Sequence, residues 1–426
     1  MNKQQFQSKV RQINFWLLMF LAFVLPISTS LISVTSVLII LCWVLEGDYR
    51  AKIQEIITNP LSKVVLFYIF LLLVGILWSD DFSANAYSIQ KQWKMLLMPI
   101  FLTTVRMEKR WWIMWAFIAG VAAAMSSTYL AWLDLLRYAD VTPEKLTRKS
   151  FHVVYNPMLA FAIYLALYQF IWGNLQRWVR LLVAIVAALM IVNMFMTDGR
   201  SGQLVFFVLM GLLFFQYLQT CAWKACLALV IVPFLFFFAS YHMSAPFKDR
   251  VDLAVKEVRI YQVNPKTSVG LRLFFWTHSW KIYKQAPFLG VGTGGFEKAY
   301  KEVNKSFSPG MPVTDNPHNQ YILSAVQLGF VGFASLMALF ITQIWLAWKS
   351  KGSWGRLRFA FPVFFMVIML TESYLLILET GVLFSLFCAV LYKGTESIKK
   401  GDAYTQDRQP SKCMRSACAT QQEAVQ

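Results

Sequence analysis

A few side chains in this sequence have the type and placement to do chemistry. The segment Asn316-Pro317-His318-Asn319-Gln320-Tyr321 sets an imidazole where a polar loop meets an apolar run beginning at Ile322, and Gly329-Phe330-Val331-Gly332 puts two small residues further in. An imidazole at such a boundary can act as a general base near neutral pH; it can equally be a boundary residue hydrogen-bonded at a helix N-terminus after Pro317. Arg200 stands in Thr197-Asp198-Gly199-Arg200-Ser201-Gly202, a tight polar turn between two apolar runs. A cation there is costly unless it snorkels or pairs with a carboxylate such as Asp198. The sharper reading is an anion clamp, because a guanidinium holds phosphate oxygens bidentately and the flanking glycines would let the backbone approach. Arg272, in Gly270-Leu271-Arg272-Leu273-Phe274-Phe275-Trp276, is a second candidate clamp, against snorkelling on an interfacial helix. His152, after Ser150-Phe151, is a candidate substrate contact against a purely structural place, and His242 and His278 read as ordinary interfacial residues.

The elements that must position these groups are membrane helices. Of the 426 residues 58% are hydrophobic and only 15% charged, against about 25% charged in soluble domains, and the mean hydropathy is +0.51. Runs able to cross about 30 Å of hydrocarbon lie near 14–30, 31–46, 63–78, 87–105, 111–133, 155–173, 178–197, 202–218, 222–242, 321–348, 357–372 and 374–392. The expected fold is therefore all-α and polytopic, with about twelve spans. The net charge of +18 could attract nucleic acid, but its Lys and Arg fall in short clusters between apolar runs, the distribution of topology-setting charges. Lys3, Lys9 and Arg11 precede the first run, which has no small-residue cleavage site, so that run is expected to be retained with a cytoplasmic N-terminus. An even number of spans puts both termini on that side.

The expected organisation is nine spans over 1–242, one large periplasmic loop over 243–320, three spans over 321–392, and a disordered cytoplasmic tail over 393–426. The loop carries Phe274, Phe275, Trp276, Trp280 and Tyr283 at helical spacing, the pattern of helices lying at a membrane surface. Cys42, Cys221, Cys226 and Cys388 lie in or beside spans and Cys413 and Cys418 in the tail, so no disulfide framework is implied. No D-x-D, H-E-x-x-H or Walker motif is present, Gly290-x-Gly292-x-Gly294 follows no strand, and Asp80-Asp81 reads as a solvated turn. No metal or cofactor is expected. Glu372 and Glu379, near the last two spans, are the exceptions to an otherwise uncharged apolar region; for Glu379 the only account is an interior hydrogen bond.

These residues carry a resemblance. Arg272 four residues before Trp276, the stretch Ala286-Pro287-Phe288-Leu289-Gly290-Val291-Gly292-Thr293-Gly294-Gly295-Phe296, and His318-Asn319 followed after nine residues by Gly329-x-x-Gly332 together resemble the large outer loop of the O-antigen ligase and polymerase family. The Arg200 turn and the expected span layout match it too. The resemblance implies a glycosyltransferase of the bacterial inner membrane that moves a preassembled glycan from undecaprenyl pyrophosphate to an acceptor hydroxyl in the periplasm. It implies Arg200 and Arg272 on the donor pyrophosphate, His318 as general base, and Asn319 and His152 as substrate contacts. A ligase would use lipid A core oligosaccharide as acceptor, whereas a polymerase would use a second lipid-linked glycan. The family also includes protein O-oligosaccharyltransferases. From a different class, a glycan or lipid transporter would need ionisable groups deep in mid-span, while Arg200 and His318 lie at span ends.

Overall fold

The computed structural model describes residues 3–79, 81–137, 141–143, 146–147, 151–218, 222–350 and 352–395. The protein is an all-α, polytopic membrane protein. Its helices in chain order are α1 (Lys3–Val24), α2 (Thr29–Glu46), α3 (Tyr49–Thr58), α4 (Pro60–Val74), α5 (Phe82–Gln92), α6 (Leu97–Thr104), α7 (Arg110–Trp132), α8 (Phe151–Trp172), α9 (Arg177–Met196), α10 (Arg200–Tyr217) and α11 (Ala222–Met243). There follow α12 (Ala245–Arg259), α13 (Ser268–Gln285), α14 (Phe296–Phe307), α15 (Gln320–Lys349), α16 (Ser353–Ile368) and α17 (Leu378–Tyr392).

Among the described residues seven helices, α2, α7, α8, α9, α10, α11 and α15, are long and apolar enough to cross a membrane, or up to eight if α3 and α4 count as one span bent by 89°. The bend has a local cause. Asn59 caps α4 by accepting from the Ser62 amide, Pro60 opens the helix, and the Asn59 carboxamide donates to the Tyr392 carbonyl at 2.9 Å. The expected count of twelve is not reached by this measure. The segment 87–105 is no continuous span but polar α5, a 3₁₀ turn at Trp93–Leu96, and short α6. The last two runs are shorter than expected as well, because 369–377 is non-helical.

Position in the bundle divides helices of similar apolarity. Of the spanning windows, α8 is 83% buried and α11 only 11%, so α8 is a central post and α11 a lipid-facing one. Phe161 of α8 packs on Phe364 of α16 at 4.9 Å and Phe387 of α17 at 5.0 Å between ring centroids. Its buried tyrosines reach polar partners, Tyr164 donating to Gln216 Oε1 at 2.7 Å, as amphipathic aromatics in a dry interior must.

The long connection after α11 forms a lobe with its own apolar centre. Phe274, Phe275 and Ile282 of α13 meet Phe296, Tyr300 and Val303 of α14 over Leu323 and Val326 of α15. On the outer face of α14, Glu297 and Lys301 pair one turn apart. Between α13 and α14, the glycine-rich segment runs into a break in α15 at Gly329 (φ 64°, ψ −154°). Asp80, Cys221, the far tail with Cys413 and Cys418, and part of the 134–154 connection lie outside the described residues.

Candidate functional site

The site is built at the N-terminal end of α15. Asn319 caps this helix, its Oδ1 accepting from the Tyr321 and Ile322 amides at 3.0 and 3.1 Å, while its Nδ2 donates to the Leu370 carbonyl at 3.1 Å. That carboxamide is thus engaged at both ends within the fold. His318, just before the cap, has φ +53°, a left-handed conformation that a non-glycine residue keeps only where its surroundings hold it. Its amide donates to Asn316 Oδ1 at 3.0 Å, Trp276 Nε1 donates to the preceding Pro317 carbonyl at 3.0 Å, and the Phe275 ring stacks on the imidazole at 5.9 Å.

The imidazole's partner is Glu372, in the non-helical 369–377 segment. His318 Nδ1 lies 2.6 Å from Glu372 Oε2, and Glu372 Oε1 accepts from Asn316 Nδ2 at 2.9 Å and from the Ser373 amide at 2.8 Å. Ser373 Oγ closes the ring by donating to Asn316 Oδ1 at 2.7 Å. Burial works to raise the Glu372 carboxyl's pKa, but the His318 hydrogen bond and charge, the Ser373 amide and the nearby Arg272 guanidinium together leave it below the ordinary glutamate value. A carboxylate that accepts Nδ1–H fixes the imidazole tautomer and leaves Nε2 with its lone pair. The His318 side chain is 36% exposed and Glu372 only 10%, so the base is reachable and its partner is not.

The two arginines come to the same place from different elements. Arg200 opens α10 and faces Glu257 of α12 at 3.7 Å. Asp198 pairs not with its neighbour Arg200 but with Arg250 of α12 at 2.5 Å. Arg272 lies one turn before Phe275 on α13; it makes no ion pair among the described residues, although its charge reaches Arg200 and Glu372. A bond from Ser201 to the Tyr374 hydroxyl (2.9 Å) ties the Arg200 turn to the segment carrying Glu372, and Tyr374 also donates to the Val153 carbonyl at 2.9 Å. His152 is the residue before Val153, so the start of α8 borders the site. An apolar groove of about 310 Å³, lined by Trp276, Trp280, Tyr283, Tyr321, Ile322 and Phe330, runs between α13 and α15 beside it.

Other expectations fare differently. His242 is exposed against Phe238 and Tyr241, as an interfacial residue should be. His278 is instead buried in the lobe, its Nδ1 3.1 Å from the Phe274 carbonyl and its Nε2 3.3 Å from Ser308 Oγ, and burial lowers its pKa. Asp81 caps α5 through the Ala84 amide at 3.0 Å. Among the described residues no cluster of three or more His, Cys, Asp or Glu is placed to hold a metal ion. Sequence reasoning noted Glu372 without giving it a partner. The available signal was the polar string Thr371-Glu372-Ser373-Tyr374 interrupting two apolar runs, which marks a segment that something polar must satisfy.

Comparison with known proteins agrees with the resemblance. Residues 185–337 match the family model described as O-Antigen ligase, a stretch that includes Arg200, Arg272 and His318 but neither Glu372 nor His152. An uncharacterized protein of Haemophilus influenzae is 26% identical over 294 residues, covering 67% of this chain and 71% of the relative.

Proposed function

We propose that this protein, whose residues 185–337 match the family model described as O-Antigen ligase, is the ligase that transfers glycan from undecaprenyl pyrophosphate to a sugar hydroxyl of lipid A core. The observation that carries the reading is a reachable imidazole hydrogen-bonded to the Glu372 carboxylate, with the Arg272 guanidinium, which makes no ion pair among the described residues, within electrostatic reach of the same carboxylate. His318 Nε2 takes the acceptor hydroxyl proton while that oxygen forms its bond to the anomeric carbon. The bond from that carbon to the pyrophosphate oxygen breaks, and the electron pair leaves with the pyrophosphate. Arg200 and Arg272 offset the charge that develops there, and attack opposite the leaving group inverts the anomeric centre. The apolar groove suits the donor's isoprenoid chain. Asn319 supports the base by fixing the start of α15, and His152 borders the acceptor side.

The reading places the extramembrane lobe in the periplasm and both termini in the cytoplasm; reporters within 260–310 and after Tyr392 should show opposite sides, and the reverse result would defeat it. Purified His318→Ala should lose on the order of 10² to 10⁴ in transfer rate while still binding donor, and near-wild-type transfer would reduce His318 to a boundary residue. Arg200→Lys and Arg272→Lys should both be severely impaired, since the ammonium keeps the charge and loses the fork. Transfer should persist in EDTA; loss restored by Mg²⁺ would replace the guanidinium clamp with a cation. A deletion strain should accumulate lipid-linked polymer with none on lipid A core, whereas core capped by a single repeat would identify a polymerase.

A further inference from the structure

The two glycines flanking Arg200 were expected to let backbone approach a bound phosphate. In the structure they approach a side chain instead. Asn156, fully buried on central helix α8, lies directly beneath the turn: a Cβ at Gly199 would stand 2.5 Å from Asn156 Cγ and Nδ2, and one at Gly202 would stand 2.3 Å from Asn156 Cβ. Asn156 Oδ1 also accepts from Thr197 Oγ1 at 3.2 Å. Around this contact lies a buried polar network. Thr197 Oγ1 donates to the Asn193 carbonyl at 2.9 Å, Tyr155 donates to Asn193 Oδ1 at 2.7 Å, and Asn193 Nδ2 donates to Thr128 Oγ1 at 2.6 Å. Gln203 Nε2 reaches back to the Met194 and Thr197 carbonyls at 3.3 and 3.4 Å, holding the last turn of α9.

Polar side chains inside a membrane bundle are costly to keep, and four helices contribute to this one. Among the described residues no hydrogen bond links its members to His318 or Glu372. What they share is the turn 197–199 and the first residues of α10, where Arg200 sits. On its other side the same turn is held by ion pairs from Arg200 to Glu257 and from Asp198 to Arg250 of α12 and by the Ser201–Tyr374 bond, contacts of partly exposed side chains at its rim. The buried side is therefore the fixed reference for the Arg200 backbone.

We propose that Asn156 is a positioning residue for Arg200: it forms the seat on which Gly199 and Gly202 rest, and so sets where the guanidinium meets the donor pyrophosphate. This rests on reading Arg200 as a donor clamp. A bidentate contact tolerates little displacement, so a changed seat weakens pyrophosphate binding without touching the acceptor side.

The test is binding of undecaprenyl pyrophosphate to purified protein in micelles, together with donor and acceptor KM. Asn156→Leu keeps the volume and loses the Thr197 bond; it should bind about tenfold more weakly and raise donor KM with acceptor KM unchanged. Gly199→Ala should do the same. Adding Asn156→Gly to Gly199→Ala, which removes the Cβ, Cγ and Nδ2 that the new methyl meets, should recover most of the affinity. A role in stability alone would lower the thermal midpoint and leave the affinity of the folded protein intact. If Asn156→Leu does not fold, Asn156→Ser serves in its place. Wild-type affinity in the folded Asn156 variants, or a Gly199→Ala defect indifferent to residue 156, overturns the proposal. Undiminished binding by Arg200→Ala overturns the clamp reading and this inference with it.

Discussion

Helix α15 carries two polar regions ten residues apart, and they handle polarity in opposite ways. At Gly329 the helix breaks, and four backbone groups around the break meet partners from the segment 287–292. The Val326 and Gln327 carbonyls accept from the Val291 and Gly292 amides at 3.0 and 2.9 Å; the Phe330 and Val331 amides donate to the Pro287 and Phe288 carbonyls at 2.7 and 3.3 Å. Thr293 extends the seam to α4, its amide donating to Gly75 and its hydroxyl to Leu72 at 2.6 Å. Broken helices persist in membranes on this condition, that the backbone is satisfied within the protein. At His318 the polar groups are only partly matched. The imidazole is reachable, Arg272 lacks an ion pair among the described residues, and a left-handed backbone is held in place. A closed network gives rigidity, and an open one beside it is where a ligand's charge and protons can enter.

The sharpest way to break this contrast is at Gly329. Its φ and ψ fall where residues with a Cβ scarcely go, and a Cβ would stand 2.2 Å from the Phe288 carbonyl carbon, which cannot move without opening the seam. Gly329→Ala should cost about 3 kcal/mol or more and leave little folded protein on size-exclusion chromatography. A Gly329→Ala protein that folds and transfers normally would show that the break does not organise the lobe.

The open region should respond in rate and not in folding. Glu372→Gln keeps the acceptor for Asn316 and the Ser373 amide but offers an amide N–H toward His318 Nδ1, which favours the tautomer with its proton on Nε2. Transfer should fall on the order of 10²-fold with the thermal midpoint close to wild type. An equal loss in folding would instead make the His318–Glu372 pair part of the scaffold.

Much of this was legible in the sequence because apolar runs and boundary residues are local signals. The helical spacing of Phe274 to Tyr283 marks α13, and Pro317-His318-Asn319 marks the start of α15. What joins the site was not legible. Glu372 lies 54 positions from His318, and its polar string marks a segment that needs a partner without saying which residue supplies it. Runs of Phe and Leu on both sides hid the non-helical segment 369–377, since apolarity reports burial in lipid or protein but not backbone shape. The glycines misled for a related reason. A residue without a Cβ signals close approach but not what approaches, and at Gly199 and Gly290 it is the protein itself.

Within the closed region a gentler change should separate stability from activity. Thr293→Val keeps the shape and removes the hydroxyl that satisfies the Leu72 carbonyl, leaving that acceptor buried. The expected cost is about 1 to 3 kcal/mol of stability, read as a lower thermal midpoint, with the transfer rate per folded molecule unchanged. A specific fall in rate at wild-type stability would extend the functional region into the seam.

The smallest effect should come from acid. Because the Glu372 carboxyl titrates below its ordinary value in the folded protein, the folded state binds fewer protons there than the unfolded one. Its contribution to stability is present above the ordinary carboxylate range and is lost as pH falls through the lowered value. The contribution is modest, since burial opposes the bonds that lower the pKa. The wild-type midpoint should therefore drop slightly more than that of Glu372→Gln as pH falls from about 6 to about 3. In His318→Ala, burial remains while the imidazole bond is gone, so the same acid limb should flatten. A His318→Ala protein with the full wild-type acid limb would mean that Ser373 and Arg272, and not the imidazole, hold the carboxylate charged.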